Sequence, residues 1–300
     1  MSLDLAAYRT GMFIPAEDLT PMLSAKSHSE KMNFFHEMLN QIEQWYLGSI
    51  SLFKVGVCGV DQEGNCYMGV NAEFPNTAIN TTIHAEQFLV TNVFNHGGTG
   101  LLHIYLKASP CGHCRQFLSE TVGTELMITV FHDGIFETRE LKNLLPFSFG
   151  PSDLGVSTRL LQPERDYDKC IDDSRDVLKV AVEEWTKEAP ILRTRAVQAA
   201  RKAFAPYTGV HEGCALQLEN GVVCTGSSME SAAFNPSLTA VQGALIEVYR
   251  MGFEFISIRS ATIVTLRPEN TAGPDYVQYS KMLLMATSGI GEDCIDAATF

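Results

Sequence analysis

Four side chains in the first half of the chain have the types and spacing of a metal-assisted catalytic site: His84 and Glu86 of His84-Ala85-Glu86, and the cysteines of Pro110-Cys111-Gly112-His113-Cys114. Cys111 and Cys114 stand three apart at the start of a predicted helix. Their sulfurs therefore share one helix face, at the positive end of a dipole that favours thiolates. His84 would add a third ligand from the start of another helix. One tetrahedral corner then stays open for water, as in catalytic rather than structural zinc sites. Two thiolates and a neutral imidazole leave the shell formally neutral around Zn2+, which lowers the pKa of a bound water from about 15.7 toward roughly 7. Glu86, in the first turn of its helix, can lie over the helix end beside that water and move protons.

Each residue has a plainer reading. Glu86 alone would be a first-turn acid serving the helix dipole, and His84 alone a buried core histidine. The joint pattern outweighs both. Cys111-Gly-His-Cys114 could instead be a dithiol redox site, but Pro110 stands where such sites usually carry an aromatic residue, and they have no use for an upstream His-x-Glu. A structural zinc knot would need a fourth protein ligand, from His113 or a distant cysteine; His113 itself reads as a helix-surface or interface residue.

The elements that must position these groups follow from periodicity. Met32, Phe35, Met38, Leu39, Ile42 and Tyr46 mark an amphipathic helix over 28–46. Strands over 51–60 and 66–70 flank a polar turn and form a hairpin. Thr81 and Thr82 can cap a helix over 83–95, followed by a strand over 101–107, a helix from Cys111 to Val122 and a strand over 126–132. This alternation predicts a layered α/β domain.

The second half repeats the first. At a shift of 157 residues, Gly56, Gly64, Gly69 and Glu73 fall on Gly213, Gly221, Gly226 and Glu230. The same shift sets Val241-Gln242-Gly243 against His84-Ala85-Glu86. The strand from Thr262 to Leu266 leads to Arg267-Pro268-Glu269 where the first half has Ser109-Pro110-Cys111, so the second copy carries no ligand set. The expected organisation is an N-terminal helical segment 1–47, a catalytic domain 48–150, a linker 151–188 with the charged stretch Glu164 to Asp176, and a non-catalytic duplicate 189–300.

Composition narrows the function. A chain of 300 residues, 45% hydrophobic and 19% charged, is long enough for two globular domains. A net charge of −13 argues against nucleic acid as partner, since such binding rests on Lys and Arg displacing phosphate counterions. There is no apolar run long enough to span a bilayer, and Met1-Ser2-Leu3-Asp4 lacks the positive charge of a signal peptide, so no membrane partner is expected and the expected location is the cytoplasm. The eight cysteines have no regular spacing and are expected to be free thiols or ligands.

These motifs together resemble the cytidine deaminases of the dimeric, two-domain kind, in which a catalytic half precedes a metal-free copy. The resemblance runs over residues 45–270. It is carried by Ser51-Leu-Phe-Lys-Val-Gly56, Gly69-Val-Asn-Ala-Glu-Phe74, His84-Ala-Glu-Gln87, Pro110-Cys-Gly-His-Cys-Arg-Gln-Phe117, the stretch from Leu145-Pro to Phe149-Gly-Pro-Ser-Asp-Leu154, and Met229-Glu-Ser-Ala-Ala-Phe-Asn-Pro236. It implies a three-layer α/β/α sandwich with a mixed sheet, duplicated within the chain, and one Zn2+ per chain held by His84, Cys111 and Cys114. The implied reaction is hydrolytic deamination of cytidine and 2′-deoxycytidine in pyrimidine salvage: activated water attacks C4, and Glu86 protonates N3 and then the leaving ammonia. By the same resemblance Asn71 and Glu73 bind the ribose 3′-hydroxyl, the Ala85 amide and Ser109 carbonyl meet the base edge, and Phe53 and Phe149 pack on the pyrimidine, although Phe53 could equally be core. A homodimer is implied, with Ser231 to Asn235 lining the partner's site. Gln87 stands where single-domain relatives carry an arginine, and Lys54 is an odd charge within a strand. A metal-retaining but inactive nucleoside binder is the other reading, against which an intact Glu86 argues.

Overall fold

The computed structural model describes residues 4–121, 125–162, 176–268 and 273–300. Two short elements open the chain, strand β1 (Phe13–Ile14) and helix α1 (Ala16–Ser24). Helix α2 (His28–Ile42) follows. It begins at a capping box: Glu30 N–H donates to Ser27 Oγ at 3.4 Å, and Ser27 N–H to Glu30 Oε2 at 2.8 Å. Its apolar stripe, Met32, Phe35, Met38, Leu39 and Ile42, is buried. The helix expected to reach residue 46 stops at Ile42 and tightens into a 3₁₀ turn, Glu43–Trp45.

Strands β2 (Gly56–Val60) and β3 (Cys66–Val70) form the expected hairpin, with Gly59 opposite Tyr67. The first strand begins five residues later than expected, because residues 50–55 are tied into a loop by side chains described below. Lys54 therefore lies outside the strand, its Nζ donating to Gln44 Oε1 at 2.9 Å. Helix α3 (Ala85–Asn95) starts after His84, not after Thr81 or Thr82; Thr81 ends a 3₁₀ turn, Ile79–Thr81. Next come β4 (His103–Leu106), α4 (Gly112–Leu118), β5 (Met127–His132), β6 (Ile135–Glu140) and α5 (Leu141–Leu144). The helix expected to run to Val122 ends at Leu118, and Val122 lies outside the described residues. The sheet order is β1-β3-β2-β4-β5-β6, mixed because β4 and β5 run parallel.

The second half comprises α6 (Asp176–Glu188), α7 (Pro190–Arg201), β7 (His211–Leu218), β8 (Val223–Ser227), α8 (Ala240–Arg250), β9 (Ile258–Leu266), α9 (Val277–Ser288) and β10 (Ile295–Thr299). Its sheet, β8-β7-β9-β10, repeats β3-β2-β4-β5, including the parallel last pair. The tail that matched nothing in the sequence thus supplies the last helix and strand of the second unit.

Helices cover both faces of each sheet. A Cβ on Gly56 would lie 2.7 Å from the backbone at the end of α2, and one on Gly69 2.5 Å from the Ala85 carbonyl of α3. Gly69 pairs with Val57, one residue out of phase with Gly56, so α2 and α3 lie on opposite faces. Gly213 against α7 and Gly226 against α8 repeat the arrangement at 2.1 Å from the Ala196 carbonyl and the Ala244 amide respectively. The result is a duplicated three-layer α/β/α fold.

The register of the copies needs one correction. The shift of 157 holds as far as Glu230, but α8 follows α3 at a shift of 155, because the segment leading into it is two residues shorter. Thr239, not Val241, takes the place of His84, and Val241 that of Glu86. Glu269 lies outside the described residues, as does the charged stretch from Glu164 except Asp176. Of the segment expected as linker, Leu160 and Leu161 are fully buried, and residues 176–188 are helical.

The halves are locked by a reciprocal exchange. Gln87 Nε2 donates to the Pro236 carbonyl and Gln242 Nε2 to the Thr81 carbonyl, each at 2.9 Å, the two donors standing 155 residues apart and the two acceptors likewise. An N-terminal strap adds to this: the Arg9 guanidinium lies 4.2 Å from the Tyr249 ring and 5.3 Å from the Trp45 ring. No helix among the described residues is long and apolar enough to cross a membrane.

Candidate metal centre and substrate cavity

The turn after β4 and the turn before α3 bring the proposed ligands together. His84 precedes the first residue of α3 and Cys111 the first of α4, while Cys114 lies in the first turn of α4. His84 Nδ1 is 3.2 Å from Cys114 Sγ and 3.6 Å from Cys111 Sγ, and the sulfurs are 3.5 Å apart. Tetrahedral zinc with Zn–S of about 2.3 Å and Zn–N of about 2.0 Å needs donor separations of roughly 3.5–3.8 Å, so these three atoms fit around one ion with shifts of a few tenths of an ångström. No fourth His, Cys, Asp or Glu joins the group among the described residues. His113 stays outside it and stacks on the His84 ring at 4.8 Å.

The donors perturb one another. Hydrogen bonds with Cys114 and His84 push the Cys111 thiol down to about 3, while donation to Cys111 and burial push Cys114 up. The Cys111 sulfur, more than any other group, raises the His84 imidazole against burial. Glu86, one residue into α3, is 5% exposed; burial raises its carboxyl, opposed by its own amide and by Cys114. A carboxyl raised toward neutrality suits proton transfer in both directions.

A cavity of about 250 Å³ opens onto these groups, lined by Glu86, His84, Cys111, Ala85, Ser109, Phe53, Asn71 and Glu73 together with Ser51, Val55, Thr82 and Ala108. Asn71 and Glu73 also shape its wall. Asn71 accepts from Val55 N–H and donates to the Phe53 carbonyl, both at 3.0 Å. Glu73 Oε2 accepts the Ile50 and Ser51 amides at 2.8 Å, and Oε1 accepts the Ser51 hydroxyl at 2.5 Å. Burial alone would raise the Glu73 carboxyl, but these donors outweigh it and hold it low and ionised. Phe53, 60% exposed, is at the rim and not in the core. Phe149 is not brought to this cavity: its ring is 48% exposed, and its carbonyl accepts from Gln116 Nε2. Ala108 carries no motif that would have marked it in the sequence, while Thr82 reads there as a helix cap and Val55 lies in the segment Ser51 to Gly56 without a role of its own. Gln87, marked in the sequence only by standing where single-domain relatives carry an arginine, has a capping role legible from its place three residues past the helix-capping position: its Oε1 accepts the His84 N–H at 3.0 Å.

The second half keeps the loop, and among its described residues no His, Cys, Asp or Glu cluster could hold a metal ion. Glu230 accepts the Tyr207 and Thr208 amides at 2.9 and 3.2 Å, as Glu73 accepts those of Ile50 and Ser51. Where Val55 stands in the first half, Glu212 points inward and its Oε2 accepts the Ala240 amide, the counterpart of Ala85, at 2.9 Å. The amide that corresponds to Ala85 is thus taken by the chain's own carboxyl. Burial, with a smaller push from Asp275, raises Glu212 to about 7. The folded state then holds this proton more tightly than the unfolded chain, whose carboxyl titrates near ~4.3. Stability is fully present below that value and falls as pH rises through about 7. Glu212→Gln, which keeps an acceptor, is expected to leave the melting temperature nearly unchanged at pH 4 and to raise it by several degrees at pH 8, corresponding to ~3 kcal/mol. Equal shifts at both pH values in a thermal scan would remove the buried charge as the cause.

Comparison with known proteins agrees with this geometry. Residues 28–130 and residues 141–272 each match the family described as the cytidine and deoxycytidylate deaminase zinc-binding region. Cytidine deaminase 6 of Arabidopsis thaliana is 37% identical over 230 residues, 73% of this chain and 76% of its own length. A cytidine deaminase of Yersinia pseudotuberculosis is 39% identical over 219 residues, 73% of this chain and 68% of its own. Among solved structures, cytidine deaminase from Mycobacterium tuberculosis is 32% identical and covers 37% of this chain and 91% of its own, with a TM-score of 0.34. That from Mycobacterium leprae is 27% identical over 40% of this chain and 99% of its own, also at 0.34. Tandem family matches, and relatives of this identity along most of both chains, establish that the chain belongs to the cytidine deaminase family.

Proposed function

We propose that the chain hydrolyses cytidine and 2′-deoxycytidine to uridine and 2′-deoxyuridine with release of ammonia, a step of pyrimidine salvage in the cytoplasm, with 48–150 as the catalytic domain and 189–300 as its non-catalytic duplicate. The observation that carries this reading is the convergence of one imidazole nitrogen and two sulfurs within 3.2–3.6 Å, beside a cavity that His84 and Cys111 line together with a buried carboxyl. His84, Cys111 and Cys114 would hold one zinc ion per chain. When bound, zinc lowers the pKa of a coordinated water and so makes a nucleophile available at neutral pH.

The protein's own groups do the rest. Glu86 takes a proton from the attacking water and delivers it to N3 of the pyrimidine, so that C4 becomes tetrahedral without a build-up of charge on the ring. It then carries the remaining hydroxyl proton to the amino nitrogen, which leaves as ammonia while the C4 carbonyl forms. The Ala85 amide and the Ser109 carbonyl orient the base edge. Asn71 and Glu73 bind the ribose 3′-hydroxyl, a role open to Glu73 because a carboxylate oxygen has acceptor capacity beyond its loop contacts. Phe53 packs on the pyrimidine at the rim. Phe149 belongs to the site only through assembly: the exposed rings of Phe147, Phe149 and Phe234 support a homodimer in which residues 231–235 and an aromatic loop reach a neighbouring cavity.

A spectrophotometric assay tests the reaction. Zinc-loaded protein is expected to change the ultraviolet absorbance of both nucleosides as the amino group is lost. Binding of cytidine and deoxycytidine with no absorbance change and no ammonia would replace deamination by a binding-only function.

A further inference from the structure

The loop 231–236 belongs to the half without ligands, yet it is bonded to both helices that carry them. At one end, Ser231 Oγ and the Ala232 amide donate to Glu120 Oε1 at 3.2 and 2.8 Å. Glu120 stands just past the end of α4, and its side chain is fully buried. Its other oxygen accepts the Tyr207 hydroxyl at 2.5 Å, so three donors of the second half converge on one carboxylate of the first. At the other end, the Pro236 carbonyl accepts from Gln87 Nε2 at 2.9 Å, while the opposite atom of the same amide, Oε1, takes the backbone N–H of His84 at 3.0 Å. Gln87 is 1% exposed. Between its ends the loop is braced from within, Ser231 N–H donating to Ser237 Oγ at 3.0 Å and Phe234 N–H to the Ser231 carbonyl at 2.8 Å.

We propose that Glu120 and Gln87 are positioning residues through which the braced loop 231–236 fixes the spacing of α3 and α4, so that the metal-free half sets how tightly His84, Cys111 and Cys114 hold their ion. Both side chains are buried with both of their polar atoms bonded, and a buried donor or acceptor left without its partner is penalised by its whole desolvation cost, so neither link relaxes freely. Partners one shell outside metal ligands commonly alter metal affinity by about 10–100-fold. The inference rests on the reading of His84, Cys111 and Cys114 as zinc ligands.

The test follows zinc release from the intact holoenzyme to a chromophoric chelator, and the absorption spectrum of the cobalt-substituted protein. Gln87→Glu keeps the acceptor for His84 N–H and loses the donor to Pro236; Glu120→Gln removes the charge that gathers the three donors. Both are expected to release zinc at least ~10-fold faster and to alter the cobalt–thiolate bands. Tyr207→Phe, which deletes a single bond in the second half, is expected to move release in the same direction by less, and together with Gln87→Glu it decides the matter if Glu120→Gln does not fold. Asn95→Ala breaks another inter-half bond, to Glu247 at 2.7 Å, at the far end of α3, and is expected to release zinc at the wild-type rate. Wild-type release and spectra in the folded Gln87 and Glu120 variants would overturn the proposal, as would equal acceleration by Asn95→Ala. Native protein that binds no zinc would instead remove the ligand reading beneath it.

Discussion

Glu86→Gln is expected to keep zinc at one equivalent per chain and to lower turnover of cytidine by ~10²–10⁴-fold, the range usual for a positioned acid–base group. The side chain is 5% exposed, so an amide of the same shape preserves packing, while it can neither accept the proton of water nor return it to N3. On the proposed roles, with Glu86 at the reacting atoms and Asn71 and Glu73 holding the sugar, the loss should fall on kcat with KM within a few-fold. Zinc content by elemental analysis and ammonia release on the same sample check both parts. A loss below tenfold with zinc retained would take Glu86 out of the proton path.

Cys114→Ala is expected to abolish both zinc and activity. Cys114 is the most buried of the three proposed ligands, 1% exposed and 3.2 Å from His84 Nδ1, and no fourth donor joins the group among the described residues. Chelation of the wild-type protein should give the same inactive state reversibly. It should also uncover Cys111, which is exposed, to alkylation, whereas bound zinc should protect it. Peptide mapping after iodoacetamide treatment reads this directly. Full zinc occupancy in Cys114→Ala, or equal alkylation of Cys111 with and without zinc, would mean that the ion is held elsewhere.

The chemistry was legible in the sequence because it is local. A cysteine pair three apart and a His-x-Glu each fit within one helical turn, and only their meeting had to be inferred. The duplication was legible because Gly56 and Gly69 recur as Gly213 and Gly226, where helices press so close on the sheet that only glycine fits. What escaped was set by long-range contacts. Phe53 appeared to lie in a strand because its neighbours are apolar, yet Glu73 and Asn71, some twenty residues on, pull that stretch out of the sheet. The copies drifted out of register because the second lacks two residues ahead of α8, a change invisible to a constant shift. Strand β1, two residues long, and Glu120, with partners more than 80 positions away, leave no periodic signal at all.

The two helix starts record what chemistry withholds from stability. In the second half, Thr239 Oγ1 accepts the Gln242 backbone N–H at 3.2 Å, a hydroxyl cap of the kind commonly worth ~1 kcal/mol. Its counterpart, His84, turns its ring nitrogen to the sulfurs instead, and only the backbone half of that capping arrangement survives, through Gln87. On the proposed reading, the half that holds the ion opens its helix on a residue that caps it less well, because the side chain at that position is needed as a ligand.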